Sequence, residues 1–432
     1  MISDKKVLII AHYFPPLNST GARRPEALAA FLARNRVSVV VLTTKKGGAT
    51  GKPNSDRQVK VIECSLLSTL VFDSIIDETN TVPVTRGAFS SSLQRFKQKF
   101  INRYFGQILD PRLPFVFYVA LKVILNKITH GKAFKWVNEF EDADILISTS
   151  PPWTTHLLGL FIAKIIKVPF IVDYRDQFSS NHMFSQNLRR FETNLDELFC
   201  TQSCLVSVVS DPMKRYYESL SRSKVVTVMN GYDERHFDGT KSVVHLNRTL
   251  GNEKITVRYF GTITPDRLME RLWSALINSN LCAAYRFEFY GDCSLLQEYF
   301  ATNNIERGLD VSFSKALPHK EALELMCSSD ALLFTETSEA KHASQRGVLT
   351  TKLFEYLASC RPLIAIIDRT TVAGELISQS GLAVTLSNDE VTIAKDLSFF
   401  PKVQSIYPNV NFINQFSRDN QFSILLGEID AI

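Results

Sequence analysis

Along this chain, short apolar runs alternate with apolar stripes at helical spacing. Residues 7–11 form the first run, and Leu28, Phe31 and Leu32 form the first stripe, on a helix opened by Pro25 and Glu26. A second apolar run covers 37–42, so the opening reads β-loop-α-β and predicts a parallel sheet with right-handed crossovers. The pattern continues with a strand at 144–147, a helix carrying Leu157, Leu158, Leu160, Phe161, Ile165 and Ile166, and strands at 168–172, 205–210 and 225–229. It then restarts. Residues 255–260 read as a strand, Leu272, Trp273 and Leu276 as a helix stripe, and 329–334 as a further strand. Arg361-Pro362 stops a helix before a buried strand at 363–367, and Glu375 and Gly381 fit one more helix and strand. A chain of 432 residues is too long for one ordinary core, so two α/β domains are expected.

Open α/β sheets bind ligands at the carboxyl ends of their strands. The loop after the first strand runs from Tyr13-Phe14-Pro15-Pro16 to Gly21-Ala22-Arg23-Arg24. It lacks Gly-x-Gly-x-x-Gly, which argues against a dinucleotide dehydrogenase. Its prolines equally suit a plain rigid turn. Ser148-Thr149-Ser150-Pro151-Pro152 ends the strand at 144–147, and Asp173-Tyr174-Arg175-Asp176 ends the one at 168–172. Two carboxylates around an arginine read either as a structural ion-pair cluster or as an acceptor site, with one Asp serving as base or orienting group for a reacting hydroxyl. In the second half, Gly261 starts a loop that reaches Thr262 and Arg267, and a glycine there lets backbone approach a ligand closely.

The most informative stretch is 346–358. Gly347 ends a polar loop, and Thr350 or Thr351 is expected to cap a helix whose stripe is Leu353, Phe354 and Leu357. Lys352 and Glu355, three apart, share a face of that helix. The helix start is a ready phosphate site, Lys352 adds a full charge, and Glu355 is placed one turn in to accept bonds from a ribose diol. The same spacing also suits a surface helix with Lys and Glu on its wet side.

The run TKLFEYLASCRPLIA at 351–365 resembles the donor-binding stretch of GT-B glycosyltransferases, in particular the family-4-like enzymes of bacterial surface-polysaccharide pathways. YFPP at 13–16, TSPPWTTHLLGL at 149–160, PFIVDYRDQF at 169–178, NGYD at 230–233 and FEFYGD at 287–292 are similar to further stretches of that group. The resemblance implies an α/β GT-B fold, two Rossmann-like doubly wound parallel-sheet domains facing across a cleft. It implies an acceptor domain over 1–223, a nucleotide-sugar domain over 224–415 and a last helix over 416–432 crossing back to the first. The donor would be held by Gly261, Thr262, Arg267, Thr350, Thr351, Lys352 and Glu355, with Arg271 a second match for the basic residue and the loop 335–346 as cover. The acceptor would meet Tyr13, Gly21, Ser150 and Arg175, and the catalytic set would be Asp176, Asp173, Arg267 and Lys352.

The implied activity is transfer of a sugar from a nucleotide diphosphate sugar to a hydroxyl of a lipid-linked or polysaccharide acceptor, with retention of configuration. No cofactor or metal is expected, since the positive groups can neutralise the leaving diphosphate and there is no Asp-x-Asp. The chain departs from the family in three places: Gly347 stands where many members have a glutamate, and Cys360 and Lys315 where glycine is usual. Two other classes fit the same fold: a nucleotide-sugar epimerase, and a non-catalytic sugar-nucleotide-binding subunit.

Composition narrows the setting. Hydrophobic residues at 45% and charged at 22% describe a globular protein, and a net charge of +5 does not argue for nucleic acid. Seven dispersed cysteines without Cys-x-x-Cys suit a reducing cytosol. No run approaches the ~20 apolar residues of a spanning helix. The most apolar segment, 113–125, carries Lys122 and is broken at Pro114. At 86–103, Phe89, Leu93, Phe96, Phe100 and Ile101 alternate with Arg95, Lys97, Lys99 and Arg103. That is a basic amphipathic helix, either packed on its own domain or lying on an anionic membrane. The expected location is cytoplasmic, soluble or peripheral on the inner face of the cytoplasmic membrane. His12, His156 and His182 are unranked candidates for a base.

Overall fold

The computed structural model describes residues 5–17, 20–44, 59–64, 110, 112–181, 189–237, 244–245, 254–303, 305, 308–336 and 343–432. The basic stretch 86–103 and His182 lie outside the described residues. The chain divides into unit one, residues 1–229 with 422–432, and unit two, residues 230–421, where the sequence placed boundaries at 223 and 416.

In unit one the strands are β1 (Lys6–Ala11), β2 (Ser38–Thr44), β3 (Val59–Cys64), β4 (Ile145–Ser150), β5 (Phe170–Tyr174), β6 (Leu205–Val208) and β7 (Lys224–Thr227). They form one sheet in the order β3-β2-β1-β4-β5-β6-β7, every pair parallel. Helices α1 (Thr20–Arg34), α2 (Leu113–Ile128), α3 (Thr154–Ile166), α4 (Arg189–Gln202) and α5 (Asp211–Leu220) connect them. The inner strands are near-continuous apolar runs because both faces are covered, as a doubly wound sheet requires, while edge strand β3 alternates, with Lys60 and Glu63 exposed. One face packs Leu8, Leu146, Val172 and Val206 with α2 and α3 residues, the other packs Val7, Ile147 and Ile171 with Leu28, Phe31 and Leu32 of α1. Phe422, Leu425 and Ile429 of the last helix close this second face, with the Phe31 and Phe422 rings 5.7 Å apart.

Two prolines behave differently from their sequence reading. α1 starts at Thr20, so Pro25 lies inside it and not at its head. A proline has no N–H for the carbonyl four residues back, and that carbonyl, Gly21 O, accepts instead from Arg175 Nη1. Pro114 does not break α2. It sits in the first turn, where the missing N–H has no partner to lose.

Unit two has β8 (Val244–His245), β9 (Ile255–Phe260), β10 (Tyr285–Tyr290), β11 (Asp310–Ser314), β12 (Ala331–Phe334), β13 (Leu363–Ala365), β14 (Ala383–Leu386) and β15 (Ser405–Ile406). Six of them form a parallel sheet in the order β11-β10-β9-β12-β13-β14, and β15 pairs antiparallel with β8. Its helices are α6 (Glu270–Asn278), α7 (Ser294–Asn303), α8 (His319–Cys327), α9 (Ala343–Arg346), α10 (Thr351–Ala358), α11 (Val372–Ser380), α12 (Glu390–Phe399) and α13 (Val410–Asn414). The last helix, α14 (Arg418–Ala431), belongs to unit two up to Gln421 and to unit one from Phe422. Among the described residues no helix is long and apolar enough to cross a membrane.

Candidate functional site

In each sheet the strand order reverses once, between β1 and β4 in unit one and between β9 and β12 in unit two. Such switch points leave a crevice at the strand carboxyl ends. The residues singled out in the sequence gather at these two edges.

In unit two, β9 ends in Gly261 at φ 130° and β10 in Gly291 at φ 141°. A Cβ on Gly291 would lie 2.3 Å from the Gly261 carbonyl oxygen, so the two loops meet backbone to backbone where no side chain fits. The Tyr259 hydroxyl donates to Thr262 O at 3.1 Å and fixes the loop's first turn. The Lys352 ammonium stands 4.0 Å from the centre of the Tyr259 ring, with Phe334 and Tyr356 at 5.6 and 6.0 Å. A Cβ added at Gly261 would come within 3.8 Å of Lys352 Nζ, so the bare loop and the cation are neighbours.

Thr350 is the N-cap residue of α10, yet its side chain makes no capping bond. Glu336, two residues past β12 and 5% exposed, reaches the helix start instead and accepts from Thr350 N at 3.0 Å. Glu336, Lys352 and Arg267 form one charged cluster. Burial pulls the Lys352 ammonium down to about 7 and the Arg267 charge adds to the fall, while Glu336 resists it. Burial likewise pushes the Glu336 carboxyl up, against the pull of the Thr350 bond, Arg267 and Lys352. Lys352, desolvated at the helix start, thus has the Arg267 cation as a neighbour. Arg271, the second match for the basic residue, sits beside Asp389.

One turn along α10, Glu355 is buried, and His319 Nε2 donates to its Oε1 at 2.9 Å. The His319 ring lies 5.6 Å from that of His236, which follows the Asn230-Gly231 turn. Gly261, Thr262 and Arg267 lie on the loop after β9, and Thr350, Thr351, Lys352 and Glu355 at the cap and in the first turns of α10. Glu336 and His319 were not expected. Glu336 carried one usable signal, a carboxylate just past a strand's carboxyl end; His319 carried none beyond opening a helix.

In unit one, Arg175 organises the edge. Its Nε donates to Ser150 O at 2.9 Å, Nη2 to Pro151 O at 2.8 Å and Nη1 to Gly21 O. Its guanidinium lies 5.8 Å from the centre of the Tyr13 ring. Tyr13, Gly21, Ser150 and Arg175 are therefore one cluster, tying the loops after β1, β4 and β5.

Asp173 is 1% exposed. It accepts from Arg24 Nη2 at 2.9 Å and Nε at 3.3 Å, and from the Thr149 and Ser207 hydroxyls, each at 2.9 Å. Burial works against its charge, but Arg24 and the two hydroxyls hold its carboxyl below the usual range. Asp176, three residues on, is exposed.

His12 and His156 are engaged. Arg112 Nε donates to His12 Nε2 at 3.0 Å, so the His12 proton is on Nδ1, 2.9 Å from the Thr44 hydroxyl. His156 is fully buried, its Nδ1 2.7 Å from the Ser148 hydroxyl, and burial lowers it to about 3.

No family model matches the sequence, and no curated protein matches it. Solved structures do match. Anabaena HepE in complex with UDP-glucose aligns over 99% of this chain and 100% of its own, with TM-score 0.60 and 14% identity. Sucrose-phosphate synthase from Thermosynechococcus elongatus aligns over 99% of both chains, with TM-score 0.58 and 12% identity. The apo lipopolysaccharide outer core galactosyltransferase WaaB aligns over 99% of both, with TM-score 0.52 and 11% identity. The two doubly wound sheets, joined in this order, are the fold of the GT-B glycosyltransferases.

Proposed function

We propose that this protein is a glycosyltransferase that moves a sugar from a nucleotide diphosphate sugar to a hydroxyl of a lipid-linked or polysaccharide acceptor in surface-glycan synthesis, with retention. The observation that carries the reading is the Lys352 ammonium, half-buried at the start of α10 beside the bare Gly261 loop and Arg267. In such a reaction the bond from the anomeric carbon to the diphosphate breaks and a bond to the acceptor oxygen forms. Charge builds on the leaving diphosphate, and Lys352, Arg267 and the Thr350–Thr351 helix start would neutralise it. Glu355 would take the ribose. Asp176, exposed past β5, is the candidate to orient the acceptor hydroxyl and take its proton. Asp173 would act through Arg24 and the strand ends. HepE, with the same fold, is seen with UDP-glucose, which makes UDP-sugars the first donors to try.

The test is sugar transfer by the purified protein from labelled UDP-sugars to a lipid-linked acceptor. Transfer that disappears in Lys352→Ala supports the reading. Donor binding without transfer under any acceptor would replace it with a non-catalytic binding subunit.

A further inference from the structure

Asp196 is a buried carboxylate that the proposed reaction does not use. It lies on α4, fully buried, and its bonds come from neutral donors. The Tyr174 hydroxyl, at the end of β5, donates to Oδ1 at 2.7 Å, and Ser179 N and its hydroxyl donate to Oδ2 at 3.0 and 2.6 Å. Among the described residues Asp196 is in no ion pair. An ionised carboxylate offers acceptors and no donor, so it fixes the direction of the bonds around it. Ser179 gives its one hydroxyl proton to Asp196, and the Tyr216 hydroxyl therefore donates to Ser179 Oγ.

Those bonds pin one loop. Phe178 N donates to the Tyr217 hydroxyl at 3.2 Å, and the Phe178 ring stacks on Trp153 with centres 5.8 Å apart. Gln177 Nε2 donates to Ser179 O at 2.9 Å, and Asn181 Nδ2 to Gln177 O at 2.8 Å. Residues 177–181 are thus tied to α4 and α5, directly after Asp176. Arg175, bonded to three carbonyls, holds the other side, so Asp176 stands between two fixed points.

We propose that Asp196 is a positioning residue: through Ser179 it clamps the loop after β5 and sets the place of Asp176. The role of Asp176 rests on the enzymatic reading; the clamp does not. The ionised form makes the clamp. Burial raises the Asp196 carboxyl to about 6, against the pull of Ser179, Tyr174 and Tyr217. The groups around it are Tyr174 on β5, Tyr216 and Tyr217 on α5, Glu192 and Cys200 on α4, and His156 of α3 across the Tyr174 ring. Burial pushes Tyr174, Tyr217 and Cys200 up and His156 down to about 3, so none of these changes charge near neutral pH. As pH falls through about 6, Asp196 gains a proton that it must donate into a cluster of donors, and the chain of bonds has to turn round.

Trp153 reads the clamp through its stack on Phe178. The test is fluorine NMR of the full chain labelled with fluorotryptophan, with Trp153→Phe assigning the resonance. In wild type that resonance is expected to shift with a midpoint at about pH 6. Asp196→Asn should abolish the midpoint. Ser179→Ala, which removes one bond to the ionised form, should raise it by about half a pH unit or more. Transfer from labelled UDP-sugar at neutral pH should fall about tenfold or more in both variants, with UDP affinity within about twofold of wild type. No midpoint at Trp153 between about pH 5 and 7, or one that survives Asp196→Asn, overturns the clamp. So does a Ser179→Ala midpoint at or below that of wild type. Transfer unchanged in both variants refutes the positioning of Asp176. Wild type that transfers no sugar refutes the enzymatic reading and the Asp176 role with it, and the Trp153 resonance still decides the clamp.

Discussion

His319 Nε2 donates to Glu355 Oε1 across 2.9 Å, so the carboxylate assigned to the ribose is oriented by the first residue of α8. A carboxylate has lone pairs for several donors, and a partner on one side holds its rotamer for a ligand on the other. His319→Ala should therefore weaken nucleotide binding by two- to tenfold, the ~0.5–1.5 kcal/mol of one hydrogen bond, with little change in melting temperature. Unchanged affinity would make the contact incidental. Calorimetric titration reads the difference.

Lys352 gives a pH signature. Its ammonium is pulled down to about 7 by burial and by Arg267. Phosphate is bound by the protonated form, and that form is lost as pH rises through the lowered value. Affinity for a nucleoside diphosphate should thus fall between about pH 6.5 and 8.5, although the ligand itself gains negative charge above about pH 6. Arginine stays charged throughout, so Lys352→Arg should flatten the dependence. A wild-type affinity that rises with pH over this window would contradict the assignment.

Arg175 fills three carbonyls with one planar fork. Lysine cannot reproduce that geometry. Arg175→Lys leaves Gly21, which also lacks a helical partner because of Pro25, without its donor, and should cost about 1–3 kcal/mol. Thermal unfolding is the measurement. A variant that melts like wild type would confine Arg175 to ligand contact.

Asp173 pairs with Arg24 in the interior of unit one. Breaking such a pair strands the other charge, so Asp173→Asn should lose ~3–5 kcal/mol in urea unfolding at neutral pH. The sign of the pH effect follows from the direction of the shift. The folded carboxyl sits below its ordinary value, so it contributes stability above an unfolded pKa of about 3.9 and loses it as pH falls through the folded value. The variant should lack that acid-dependent loss. Equal acid slopes in the two proteins would remove Asp173 from the account.

The local patterns were legible. Apolar runs marked most strands of both sheets, though not β3 or β11, and the run order placed Tyr13, Ser150, Arg175 and Gly261 after strand ends and Lys352 at a helix start. What failed depended on partners far away in sequence. The start of α1 at Thr20 rests on Arg175, 154 residues from Gly21, supplying what Pro25 cannot. The hydroxyl cap expected at α10 gave way to Glu336, 14 residues from Thr350. Asp173 looked like a neighbour of Arg175 because they are two apart, yet its cation is Arg24, 149 residues away. Periodicity carries no such pairings, since they are set by which strands become neighbours at a switch point.

The central claim is a nucleotide site built on Lys352 and Glu355. The most direct test is calorimetric binding of UDP, GDP, ADP and TDP to wild type and to Glu355→Ala. The account predicts that one nucleotide binds wild type and is weakened at least about tenfold in the variant, the ~1.5–3 kcal/mol of hydrogen bonds to a charged group, with melting unchanged. Binding that survives Glu355→Ala undiminished, or no binding of any of the four to wild type, would contradict it.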